Sequence, residues 1–139
     1  MRTRPVHIAT ALGCCAVLAL TGCSNRASYI NRTPQSGSTT ATPIGGVQQI
    51  TLKAGDDYRF TPDTITVHPG KVTITLVNTG AGAPHDFSLT GFPGDAAPLA
   101  QAGASSTATF EAPAPGRYQF VCTIHVAQGQ TGTLVVLPN

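Results

Sequence analysis

The sequence contains no tryptophan, and its only methionine is Met1. Any site that needs a thioether donor further along must use another atom. Charged residues make up only 10% of the chain, and no stretch repeats apolar residues at helical spacing, so surface helices of the usual Glu- and Lys-rich kind are excluded. Basic residues are scarce where they would matter for nucleic acid. Arg2, Arg4, Arg26 and Arg32 all precede residue 47, and from Val47 onward four bases face six acids, a net charge of −2. No basic field remains to hold a phosphate backbone. Long apolar runs are missing too: the longest extends from Ile8 to Leu20, too short for a helix to cross roughly 30 Å of hydrocarbon.

That run follows two arginines and leads into small residues before Cys23, which is the pattern of a secretory signal. The ending "LTGC" resembles the lipobox of bacterial lipoproteins, which implies cleavage before Cys23 and lipid on its sulfur. Residues 1–22 are then signal peptide, and Cys14 and Cys15 leave with it. Cys122 becomes the one free thiol of the mature chain, with no intramolecular disulfide available. An unpaired thiol in an oxidising compartment calls for an explanation, and metal ligation fits its neighbours. Residues 23–46 comprise the lipidated cysteine and a segment rich in Ser, Thr, Asn, Pro and Gly. This segment reads as a flexible tether.

From Val47 the pattern changes to short alternating runs between turns. "VQQITLKA", "YRF", "DTITV", "VTITLVN", "HDFSLTGF", "TATFEA", "GRYQFVC" and "TGTLVVL" are the candidate strands. "VTITLVN" sets Val72, Ile74 and Leu76 against Thr73, Thr75 and Val77, the clearest period of two in the chain. "PGDAAPLAQAGAS" reads as a long loop and "PAPG" as a turn. Seven or eight strands in residues 47–139 without a helix predict one all-β domain, an antiparallel Greek-key β-sandwich.

Cys122 ends a strand and His125 follows at Cys-x-x-His spacing, so one tight loop aims a thiolate and an imidazole at a common point. His85 opens another strand after "GAGAP" and supplies a second imidazole. Two imidazoles and a thiolate are the trigonal set of a blue-copper electron-transfer site. "TPDTITVHPGKVTITLVNTGAGAPHDFSL" and "PGRYQFVCTIHVAQGQTGTLVV" together resemble the cupredoxin family, in its plastocyanin and pseudoazurin branch, over nearly all of residues 47–139.

The resemblance implies a single copper ion held by His85, Cys122 and His125, with redox donor and acceptor proteins meeting the domain transiently. It implies no catalytic residues and a monomer, while the signal segment and lipobox imply a lipid anchor on a bacterial membrane with the domain facing the periplasm or the cell exterior. The branch usually places a methionine as axial ligand, and here that position falls on Gln130. An amide oxygen is a permitted weak axial donor. It is harder than a thioether, so it favours Cu(II) and a low potential. The Ala83 or Pro84 carbonyl, Gln128, or no donor at all are the other axial possibilities.

The same residues admit a copper-binding lipoprotein that delivers, stores or senses the metal without passing electrons. Zinc suits the donors less, because structural zinc takes four strong ligands. A self-contained multicopper enzyme lacks ligands, since only His68 is left over and it reads as a solvated turn histidine. The family implies that Asn78 ties the two ligand loops, against the alternative of a strand-end cap. Asp86 either orients a hydrogen bond beside the site or faces water. Val126, Ala127, Ala83 and Pro84 form a candidate apolar rim where redox partners would dock.

Overall fold

A computed structural model of the protein describes residues 37–139. The expected signal peptide and Cys23 lie outside the described residues. Two sheets face each other. The first runs in the order β1 (Ser38–Thr40), β5 (Thr64–Val67), β11 (Thr131–Val136), β10 (Gly116–Val121), β7 (His85–Leu89) and β8 (Phe92–Ala100). The second runs β2 (Thr42–Ile44), β3 (Val47–Ala54), β6 (Lys71–Asn78) and β9 (Ser105–Glu111), with β4 (Phe60–Thr61) paired to β3. The described residues form no α-helix and no helix long and apolar enough to cross a membrane.

The β-sandwich is as expected, while its strands are more numerous and its sheets mixed. β1 with β5, β5 with β11, and β3 with β6 pair in parallel. Two segments differ from the sequence reading. Residues 38–44, inside the expected tether, form β1 and β2, which edge opposite sheets, with Ala41 at the corner between them. Ala41 is the only buried residue of 37–46. These strands are held by backbone pairing, which leaves no apolar period to read. The expected loop after Phe92 contains β8, an edge strand that buries only Ala97 and Ala100 against the core. Alternating alanine gives little contrast in hydropathy, and β8 is joined to β7 through two register shifts.

The core follows the period of two. In β6, Val72, Ile74 and Leu76 are fully buried, as are Ile65 and Val67 in β5 and Leu134 in β11. Phe120 sits at the centre, with ring centroids 5.2 Å from both Phe60 and Phe87. Its ring lies so close over Gly132 that a Cβ there would collide with it. Replacing such a ring by alanine typically costs about 3–5 kcal/mol.

The same alternation sets the end of the core. His85 shares the inward face of β7 with Phe87 and Leu89. Cys122 follows Phe120 at the next inward position of β10, Gln130 precedes Gly132 and Leu134 in the inward phase of β11, and Asn78 continues Leu76. β10 runs antiparallel to both β7 and β11. The end of β10 therefore meets the starts of its two neighbours, and three polar side chains arrive together at one end of an apolar interior.

Candidate metal centre

Three of the expected donors converge. The ligand atoms of His85, Cys122 and His125 all lie within 4.8 Å of one another. Cys122 Sγ is 3.3 Å from His125 Nδ1, and the two imidazole centroids are 5.0 Å apart. His85 and Cys122 are fully buried, whereas His125 keeps 9% of its surface exposed. His125 is thus the point where the cluster reaches solvent.

The loop from Cys122 to Gln130 folds back on itself. His125 N–H donates to the Cys122 carbonyl at 3.1 Å, Gln130 N–H to the His125 carbonyl at 3.2 Å, and Cys122 N–H to the Gln130 carbonyl at 3.1 Å. A 3₁₀ turn over Val126–Gln128 ends at Gly129, whose φ of +81° is left-handed and suits glycine. This reversal brings the Gln130 side chain beneath the histidines. Gln130 is fully buried, and its Oε1 accepts from His85 Nδ1 at 2.9 Å. Gln130 Nε2, His85 Nε2 and Gln128 Oε1 are buried without a hydrogen-bond partner among the described residues. The Ala83 carbonyl already accepts from Asn78 Nδ2 at 2.8 Å.

Burial dominates the electrostatics. It pushes the Cys122 thiol up to about 11, against an opposing pull from the Asp86 backbone N–H. It also drives His85 below its ordinary value, a shift that the Gln130 hydrogen bond partly offsets and nearby His125 reinforces. His85 is therefore kept as a neutral imidazole and Cys122 as a protonated thiol. A soft, buried sulfur beside two imidazoles and an amide oxygen fits a thiophilic transition-metal ion.

Around the cluster, Asn78 does not bond both ligand loops as the family pattern implied, whereas Asp86 takes the first of its two expected roles and orients a hydrogen bond beside the site. Asn78 Nδ2 donates to the Ala83 and Ala100 carbonyls at 2.8 and 3.0 Å, and its Oδ1 accepts Gly80 N–H at 2.9 Å. It organises the loop that leads to His85. Asp86 joins the two ligand segments, accepting Thr123 N–H at 2.6 Å and the Thr123 hydroxyl on its other oxygen. His68 is exposed and outside the cluster, its backbone clasped by the Gln48 side chain. Sequence reasoning missed Tyr58, whose ring lies 4.7 Å from that of His125 and 6.2 Å from that of His85. It also missed Ile124, which with Val126 is half exposed on either side of His125.

A family model described as a cupredoxin-like domain matches residues 14–136. The chain belongs to the cupredoxin-like family. Among solved structures, this cupredoxin is similar to a dithionite-reduced auracyanin from the photosynthetic bacterium Roseiflexus castenholzii. The two are 26% identical with a TM-score of 0.58, covering 65% of this chain and 97% of that one. Auracyanin A, a "blue" copper protein from Chloroflexus aurantiacus, is 24% identical with a TM-score of 0.59, covering 66% and 99%. The metal-binding domain of a Cu(I)-exporting P-type ATPase from Streptococcus pneumoniae D39, solved with Cu(I), is 19% identical with a TM-score of 0.60, covering 72% and 95%. The last two likenesses speak for the fold alone. No curated sequence is a significant match.

Proposed function

We propose that this cupredoxin is a mononuclear type 1 copper protein that carries single electrons between extracytoplasmic redox partners. The observation that carries this reading is the buried convergence of His85, Cys122 and His125 with Gln130 Oε1 beside them. Likeness to the auracyanin at 26% identity supports it. His85, Cys122 and His125 would be the equatorial ligands and Gln130 the axial one. Copper bound there would supply one-electron chemistry by cycling between Cu(I) and Cu(II).

The protein's part is to keep the donors still. His85 and Cys122 sit at strand ends, and the backbone bonds of the loop fix His125 and Gln130 relative to Cys122. Donors that do not move between oxidation states keep the reorganisation cost of electron transfer small. His125, with its one exposed edge between Ile124 and Val126, would be the exit for the electron. A small apolar contact around it suits partners that dock briefly and leave. The "LTGC" sequence supports a lipid anchor at Cys23, which would hold the domain at a bacterial membrane, facing the periplasm or the cell exterior.

The decisive experiment adds Cu(II) to the purified full-length protein and records its visible and paramagnetic resonance spectra. An intense thiolate-to-copper absorption band with narrow copper hyperfine splitting is expected. Absence of that band would overturn the reading.

A further inference from the structure

The turn after β3 contains no ligand, yet it touches each loop of the site. The Gly55 carbonyl accepts Tyr58 N–H at 2.9 Å, closing a four-residue turn over Asp56 and Asp57. Asp56 Oδ2 accepts Ala81 N–H at 2.8 Å, and its Oδ1 accepts those of Gly82 and Ala83 at 3.1 and 3.2 Å. Those amides belong to the loop that delivers His85. A Cβ on Gly80 would stand 2.5 Å from Asp56 Oδ1, so the approach depends on glycine. At the other end of the turn, Arg59 Nη1 donates to the Gly129 carbonyl at 2.9 Å, in the loop between His125 and Gln130.

Tyr58 lies between these two anchors. Its ring is tilted 50° over His125 and stands near edge-on, at 70°, to His85. Its φ of +55° makes it the one non-glycine residue with positive φ among those described. A bulky side chain pays strain in that conformation, which asparagine or glycine adopts readily. The turn by itself would favour a smaller residue. Backbone bonds hold the His125 main chain, but its imidazole has Cys122 Sγ as its one side-chain hydrogen-bond partner among the described residues, and its neighbours Ile124 and Val126 face solvent.

We infer that Tyr58 is a positioning residue that holds the His125 imidazole against His85 before any metal arrives, with Asp56 and Arg59 as the anchors that aim it. The strain at Tyr58 is the cost of placing a ring where the turn would take a small residue. A site assembled in advance loses less freedom on loading and opens less readily for release. The release part of this inference rests on the copper reading, whereas the metal-free part stands without it.

The test compares wild-type full-length protein with Tyr58→Asn, which keeps the left-handed turn and removes the ring, and Tyr58→Phe, which keeps the ring. Without metal, the His125 ring-proton resonances in Tyr58→Asn should move toward those of a solvent-averaged histidine while the thermal midpoint stays near wild type. Tyr58→Phe should leave them in place. Unshifted His125 resonances in Tyr58→Asn, or a shift seen only because the whole fold loosens, would overturn the inference. With Cu(I) bound, release to an excess of chelator should quicken about three- to tenfold in Tyr58→Asn, the range an aromatic stack of this kind implies, and little in Tyr58→Phe. Equal release rates in all three proteins would also overturn it. If wild type binds no copper, the copper reading falls, and the metal-free resonances still decide the role of Tyr58.

Discussion

Burial of Cys122 has a measurable consequence for how the site loads. A metal takes the thiolate, so loading must displace the proton that burial holds on this sulfur. With the thiol pushed up to about 11, roughly one molecule in ten thousand carries a thiolate at pH 7. The apparent affinity should therefore climb about tenfold per pH unit, and about 1,000-fold between pH 7 and pH 10. A thiol at its ordinary value of 9.0 would be mostly ionised by pH 10, and the same span would give only about 100-fold. His85, held below its ordinary value by burial, is neutral across this range and adds nothing to the slope. The assay is an anaerobic competition titration against a chelator of calibrated pH dependence, paired with proton release in weakly buffered solution at pH 7. About one proton per ion from the thiol is expected, and Cys122→Ala should abolish both signals. A gain near 100-fold, or no proton released, would refute the claim that burial keeps this donor protonated until the metal displaces it.

Gln130→Met should raise the reduction potential, because a thioether favours Cu(I) more than an amide oxygen does. In the metal-free protein it should change stability by less than about 1 kcal/mol, since it removes the unpaired Gln130 Nε2 but leaves the buried His85 Nδ1 without its acceptor; denaturant titration and voltammetry on the same variant check both. Asp56 lies below its ordinary 3.8 because it accepts the backbone N–H groups of Ala81, Ala83 and Gly82. Its contribution to stability is therefore complete above the unfolded value near pH 4 and is lost as pH falls through the lower folded value. Asp56→Asn should flatten stability against pH in that acid window, and an unchanged acid limb in chemical denaturation would count against the clasp. Cys23→Ser should release the protein from the membrane fraction if Cys23 carries the lipid; unchanged membrane association would rule out that anchor.

Much of the fold is legible wherever side chains alternate in hydropathy. "VQQITLKA" and "VTITLVN" read as strands because Ile50 and Leu52, then Val72, Ile74 and Leu76, face inward between polar neighbours. β1, β2 and β8 escape that signal because the backbone holds them and they bury little beyond alanine. The donors are legible for a different reason. Thiolate and imidazole chemistry is carried by residue type; His85 and Cys122 fall in phase with strands that can be read, and His125 follows Cys122 on the same tight loop. Tyr58 is not legible in this way: its position depends on a left-handed turn and on anchors from two loops far along the chain. Asn78 and Asp86 show the same limit. Both are polar and near ligands, and only the path of the loops decides that Asp86, rather than Asn78, reaches Thr123.

The packing also bears on why position 130 is a glutamine. The inward phase of β11 obliges residue 130 to face the core, where a leucine or methionine would bring no amide of its own to satisfy. Glutamine instead leaves Nε2 unpaired in a fully buried position, and two further unpartnered atoms, His85 Nε2 and Gln128 Oε1, lie at the same end of the sandwich. Ser106 Oγ is another buried atom without a partner among the described residues, while the core cluster itself is made of apolar side chains such as Leu52, Ile65, Val72 and Leu134. A local violation that costs stability and sits among convergent donors marks the place where folding gives way to another requirement. On the proposed copper reading the amide would meet that requirement with its oxygen: Oε1 is held 2.9 Å from His85 Nδ1, inside the cluster of His85, Cys122 and His125.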